Sequence, residues 1–176
     1  CQYIVQLASA KCIFERTGGG SHMINNLSIF FKGNILLNLR DPSDILESMF
    51  KHSVFKLYSN VLQSRMNLSL SPEDRICNLL LYFTEPIVKY LKSNPTHEVP
   101  LIDYDNFCQD PYSNLAYIYE NIIHLPFDSS IVNSVVSSIR KPAKTETYIL
   151  KSCSTSFSQR IVSTFDYIYQ HSFVIP

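Results

Sequence analysis

The chain has 176 residues, 45% of them hydrophobic and 17% charged, with 15 Lys plus Arg balanced by 15 Asp plus Glu. Phosphate binding needs clustered basic side chains, and no stretch supplies them, so direct nucleic-acid binding is not expected. The longest apolar run, Ile76 to Phe83, is broken by Asn78 and is too short to cross a membrane.

The chain opens with Cys1 to Thr17, followed by Gly18-Gly19-Gly20-Ser21-His22-Met23. His22-Met23 is the pair that a common cloning site leaves behind, and three of the four glycines stand just before it. Together they mark an artificial junction. The organisation read from this is a partner-derived peptide at 1–17, a linker and cloning scar at 18–23, and a helical peptide-binding domain at 24–176.

Purification tags are hydrophilic, whereas this peptide is apolar. On a helix, Tyr3, Leu7, Ala10 and Phe14 form one stripe, and Ile4 and Ala8 widen it, as in an amphipathic helix laid into a groove. The adjacent β-branched pair Ile4-Val5 leaves an extended strand from Gln2 to Leu7 as the competing reading. Six extended linker residues reach roughly 20 Å, so the peptide docks within about that distance of Ile24, and tethering holds it at an effective concentration on the order of millimolar.

The body from Ile24 onward spans 153 residues, the size of one domain. Lys11, Arg16 and Glu15 precede it, which leaves 13 Lys plus Arg against 14 Asp plus Glu. Its only glycine is Gly33, too few for the hairpin turns of a β-rich domain. We therefore expect an all-α fold, a single bundle of about six to seven helices. Three starts carry a capping side chain followed by proline at the first helical position: Asp41-Pro42, Ser71-Pro72 and Asp110-Pro111.

In chain order, Leu27 to Leu39 reads as a helix with Leu27, Phe30, Phe31, Ile35, Leu36 and Leu39 on a wide apolar face. Pro42 to about Asn67 reads as a long helix carrying Leu46, Met49, Phe50, Val54 and Leu57. Pro72 to about Leu91 is apolar nearly all round and suits a central helix, kinked near Tyr82 by Pro86. Ser93 to Val99 reads as a surface loop and Leu101 to Cys108 as a short helical piece. A helix from Pro111 to His124 turns Leu115, Ile118, Tyr119, Ile122 and Ile123 inward and stops at Pro126. Asp128 or Ser129 then caps a segment with Ile131, Val132, Val135, Val136 and Ile139. Arg140 to Thr147 is a polar loop, and the last helix carries Phe157, Ile161, Val162, Phe165, Ile168 and Tyr169 on one face.

Catalytic signatures are missing: no GxSxG, no phosphate loop and no HExxH, so no enzyme is expected. Five cysteines with no CxxC spacing read as reduced thiols of an intracellular protein. His52 falls on a polar helix face, where solvation is the plain reading, and His97, His124 and His171 lie at element ends, where histidine caps carbonyls. No metal cofactor is expected. A zinc site shared with a partner would draw on His52, Cys77 or Cys108. Tyr112, Tyr117, Tyr119, Tyr167 and Tyr169 fit core edges, or an interface where phenols stay wet.

A Gly-poor helical body with helices at Asp41 to Asn67 and Ser71 to Leu91, tied to a partner motif, resembles the bridging subunits of yeast shelterin. The resemblance implies a TRF-homology-like helical domain that joins the protein on duplex telomeric DNA to the one on the single-stranded end. In that case Cys1 to Thr17, with Ile4 and Leu7, stands for the duplex-side partner's motif. The family further implies a nuclear location, homodimerisation, a second peptide groove and interfacial zinc there.

The function expected is a non-enzymatic adaptor that takes short helical motifs into hydrophobic grooves. The peptide's anchors are Tyr3, Ile4, Leu7, Ala10 and Phe14, and the groove nearest the tether is lined by Leu27, Phe30, Phe31 and Phe50. The alternative is a Bcl-2-like regulatory domain bound to its ligand helix. That ligand wants an Asp soon after its leucine, and Leu7-Ala8-Ser9-Ala10-Lys11 offers none.

Overall fold

A computed structural model describes residue 24 and residues 35–52, 69–137, 139 and 148–176. The chain is mostly helical, as its glycine poverty and proline-marked starts require. In order, the described elements are strand β1 (Leu37–Leu39), helices α1 (Pro42–Lys51) and α2 (Pro72–Ser93), strand β2 (Pro100–Asp103), helices α3 (Tyr104–Gln109) and α4 (Pro111–Tyr117), a π-helical segment (Ile118–Ile123), helices α5 (Ser129–Val136), α6 (Tyr148–Ser152) and α7 (Thr155–Gln170), and strand β3 (Phe173–Val174).

All three caps form as their chemistry dictates. The Ser43 N–H donates to Asp41 Oδ1 at 2.8 Å, the Asp74 N–H to Ser71 Oγ at 3.1 Å, and the Ser113 N–H to Asp110 Oδ1 at 3.1 Å. Proline follows each cap, where a missing N–H leaves nothing unsatisfied. Replacing Ser71 by alanine removes one such bond, and urea titration should record a loss of about 1 kcal/mol.

Helix α2 is the centre of the bundle. Ile76, Cys77, Leu80, Leu81, Ile87 and Leu91 are buried along its length, and α7 lies against it through Ile161, Phe165 and Ile168. The buried Thr84 hydroxyl donates back to the Leu80 carbonyl at 2.9 Å, while Pro86 within the helix has no N–H to donate. Ile24 is buried in the same core cluster.

The strands were not expected. They form a small parallel sheet in the order β1-β2-β3, with Leu37 opposite Leu101, Leu39 opposite Asp103, and Leu101 opposite Val174. The Phe173 and Ile175 N–H groups donate to the Val99 and Leu101 carbonyls, both at 2.9 Å. Alternate residues of a strand face opposite sides, and here apolar residues pack on both. Leu37, Leu39 and Leu101 enter the main core, whereas Ile102 joins a smaller cluster with Ile118 and Ile175.

Several local readings are corrected by this arrangement. Residues 37–39 are strand rather than the end of a helix: Leu37 and Leu39 are buried and Asn38 is exposed, the period-two signature. Residues 35 and 36 have no regular structure, and the rest of that predicted helix, 27–34, lies outside the described residues. Helix α1 ends at Lys51, where the His52 N–H turns back to the Ser48 carbonyl at 3.0 Å. No glycine or proline marks this stop, so periodicity alone runs past it; residues 53–68 lie outside the described residues.

Leu101 and Ile102 are extended rather than helical, because helix α3 begins only where Asp103 Oδ1 accepts the Asp105 and Asn106 N–H groups, at 3.0 and 3.1 Å. The expected loop before it is exposed at His97 but pins Val99 fully inside the core. The Pro111 to His124 helix changes pitch at Ile118 and closes on a left-handed His124, φ 57°, whose N–H reaches the Tyr119 carbonyl.

Asp128 is the cap of α5, accepting the Ser130 N–H at 2.9 Å. Val132 is buried there, the side chains of Ile131 and Val135 lie outside the description, and so does the 140–147 loop. On α7, Val162 is 46% exposed although its neighbour Ile161 is fully buried, because it sits about 100° around the helix from the Ile161, Phe165, Ile168 stripe.

Candidate functional site

Two surfaces stand out once the elements are in place: an apolar edge where α1 meets α6, and a shallow cleft beside α4. The edge is built around a buried carboxylate. Glu47, at 8% exposure, sits among the apolar residues of α1, and its Oε1 accepts the N–H groups of Tyr148 at 2.8 Å and Ile149 at 2.9 Å. A carboxylate on the first N–H groups of a helix satisfies orphan donors and meets the positive end of the dipole. The clasp joins residues about one hundred positions apart, and Ile149 seals it by entering the main core.

Phe50 lies three residues along α1 from Glu47 and so shares its side of the helix. It is 42% exposed, and Tyr148, whose N–H Glu47 holds, is 62% exposed. The seam therefore presents two large side chains to solvent above a locked backbone. Of the residues expected to form the groove, Phe50 is the one within the described chain; Leu27, Phe30 and Phe31 lie outside it, as do the peptide anchors Tyr3, Ile4, Leu7, Ala10 and Phe14.

The cleft has a volume of about 420 Å³ and is lined by Asn106, Gln109, Asp110, Ser113, Asn114, Tyr117 and Pro176. Asn114 is only 3% exposed. Its Nδ2 donates to the Asp110 carbonyl at 2.9 Å, whereas its Oδ1 is buried and accepts no hydrogen bond from the protein. Hydrogen bonds from the Ser113 hydroxyl and N–H hold the Asp110 carboxyl below its ordinary range. The Tyr117 ring lies tilted against Phe173, with centroids 6.0 Å apart.

Other expected sites fall out differently. His52 is exposed at the end of α1, and among the described residues no three His, Cys, Asp or Glu side chains gather as a metal ion would require. Cys77, Cys108 and Cys153 are free thiols. Burial first, then a hydrogen bond with Cys153, pushes the Cys77 thiol far up, which leaves it protonated.

His124 and His171 each point Nδ1 at a carbonyl one turn back, Glu120 at 3.3 Å and Tyr167 at 2.9 Å. His97 meets the Tyr90 ring edge-on. The tyrosines divide: Tyr169 is held by its hydroxyl, which donates to Asp103 Oδ2 at 3.2 Å, and burial first, then the Asp103 charge, push its phenol well up. Tyr112 stands 38% exposed with its ring against Phe127.

Comparison of the chain with protein-family models, curated proteins and solved structures found no match. Function is therefore argued from residues. Sequence reading missed Glu47, because nothing near it announces a partner a hundred residues away, and it missed Asn114, whose polar type gives no sign of burial. The Asp110 cap was legible, though not the cleft beside it. Among the described residues, no helix is long and apolar enough to cross a membrane.

Proposed function

We propose that this chain is a non-enzymatic adaptor whose helical body captures short helical motifs, residues 1–17 being one of them. The observation that carries the reading is the junction at Gly18 to Met23, which ties an apolar peptide of amphipathic spacing to the body. Two features support it. Ile24, the residue that follows Met23, is packed in the main core. Phe50 and Tyr148 offer exposed apolar area of the kind that such a helix covers.

The shelterin resemblance refines the reading. On it, the body homodimerises in the nucleus and links the duplex-side telomere protein, the source of residues 1–17, to the single-strand-side one through a second groove. Sedimentation would then report a dimer.

The direct test opens the linker with a protease site placed between Gly19 and Gly20 and follows the freed peptide by gel filtration. Co-elution with the body, lost on Leu7→Glu and weakened about tenfold by Phe50→Glu, is the expected result; truncating an interface anchor costs upward of about 1–2 kcal/mol. A freed peptide that elutes alone from a folded body would sink the adaptor reading.

A further inference from the structure

Two cysteines far apart in sequence meet at the edge of the core. Cys77 is fully buried on α2, and its thiol shares a hydrogen bond with that of Cys153. Cys153 stands half-buried in the turn between α6 and α7, and its Sγ also reaches the Leu150 carbonyl at 3.4 Å. A second contact fixes the backbone beside the pair. The Ser154 N–H donates to Asp74 Oδ1 at 2.7 Å, and Asp74, three residues before Cys77, shares its side of α2. The Cys153 N–H is itself held by the Ile149 carbonyl at 3.0 Å.

The two thiols differ in what can reach them. Cys77 has no exposed surface, and burial holds it protonated, so a dissolved oxidant does not attack it. Cys153 is open to solvent on one side. A partly open thiol backed by a second one is the arrangement in which the first oxidation product is captured before it is oxidised further. Cys108 is buried elsewhere, beside the Tyr104 hydroxyl, and stands as an internal control.

We propose that Cys77 and Cys153 form a redox pair, with a hydroperoxide as the oxidant, whose disulfide staples the α6–α7 junction to the central helix. The Cys153 sulfur attacks the peroxide O–O bond, which breaks to leave a sulfenic acid on Cys153 and to release water or an alcohol. The Cys77 sulfur then forms the S–S bond and displaces the sulfenic hydroxyl, which takes the Cys77 proton and leaves as water. Two thiols thus lose two electrons and two protons, and the peroxide takes up both. Glu47 already clasps the start of α6, so the disulfide holds that short helix from its other end as well. The proposal stands independently of the peptide at residues 1–17.

The test exposes the whole folded chain to hydrogen peroxide, blocks the remaining thiols with iodoacetamide in denaturant, and digests with trypsin in the absence of reductant. Cys77 and Cys153 fall on separate fragments, Ile76–Lys89 and Ser152–Arg160, with no other cysteine on either. Mass spectrometry should find these two fragments joined as the dominant pairing, with Cys108 still a thiol, and dithiothreitol should part them. Oxidation should raise the thermal midpoint by about 5–10 °C, because the cross-link closes a long loop of the unfolded chain.

Cys77→Ala should leave a sulfenic acid on Cys153 that dimedone traps, where the parent chain yields little. Cys153→Ser, at a half-buried position that tolerates the change, should abolish both the joined fragments and the rise in thermal midpoint. Four results would overturn the proposal: no joined fragments, Cys153 paired mainly with another cysteine, Cys153 carried on to the sulfinic acid while Cys77 stays a thiol, or a joined chain whose thermal midpoint does not move.

Discussion

Replacing Glu47 by alanine should destabilise the chain by about 3 kcal/mol, because it strips two buried backbone donors of a charged acceptor. For a protein of this size that corresponds to a fall of about 10 °C in the thermal midpoint. The Tyr148 and Ile149 N–H groups both depend on this carboxylate, and Ile149 is 1% exposed, so water cannot take its place there without opening the core. Glu47→Gln keeps an amide oxygen of nearly the same reach and should lose less than half as much. Hydrogen exchange locates the effect: the amides of Tyr148 and Ile149 should exchange far faster in the alanine variant, and those of α2 should follow only the change in global stability. Exchange at Tyr148 unchanged from the parent chain would show that the clasp contributes nothing.

The second large effect belongs to the sheet. Leu101 is fully buried at the centre of β2, between Leu37 on one strand and Val174 on the other. Leu101→Ala should cost about 3–5 kcal/mol, since the flanking strands fix the backbone and the site cannot collapse to fill the void. Ile102→Ala, on the opposite face and next to the smaller cluster of Ile118 and Ile175, should cost about 2–3 kcal/mol. Chemical denaturation of the two variants side by side checks the order; a costlier Ile102→Ala would mean that the smaller cluster, not the main core, anchors the strand.

The helices were readable because each rests on local chemistry. Asp41, Ser71 and Asp110 sit within three residues of the N–H groups they accept, and the apolar spacing of α2 and α7 is dense enough to override a proline at position 86. The strands were not, for a physical reason. Three residues such as Leu37 to Leu39 are too few to separate alternation from helical spacing when Ile35 and Leu36 precede them. The glycine argument also had a gap: it excludes hairpins, but parallel strands joined through helices need no tight turn and therefore no glycine. Val162 shows the limit of spacing itself, which places a residue on a helix face to within one position and no better.

For the candidate sites, sequence supplied residue types and single partners. It named Phe50 and the Asp110 cap but could not show that Glu47 reaches Tyr148 or that Asn114 is buried. Both depend on contacts set by the tertiary fold. The stripe expected from Tyr3 to Phe14 lies outside the described residues.

The small sheet also governs the order in which this chain can assemble. Its pairs join Leu37 to Leu101 and Leu101 to Val174, separations of more than sixty residues each, so both loop-closure entropies must be met before the ladder returns any hydrogen bonds. Helices α1 and α2 can form from local contacts while the sheet waits for Phe173 to arrive. A chain emerging from the ribosome that has reached Gln170 still leaves the Val99 and Leu101 carbonyls unpaired along one edge of β2. During that interval the edge is open to the same strand of a neighbouring copy, and slow synthesis past Gln170 would favour exchange of β3 between chains over closure within one.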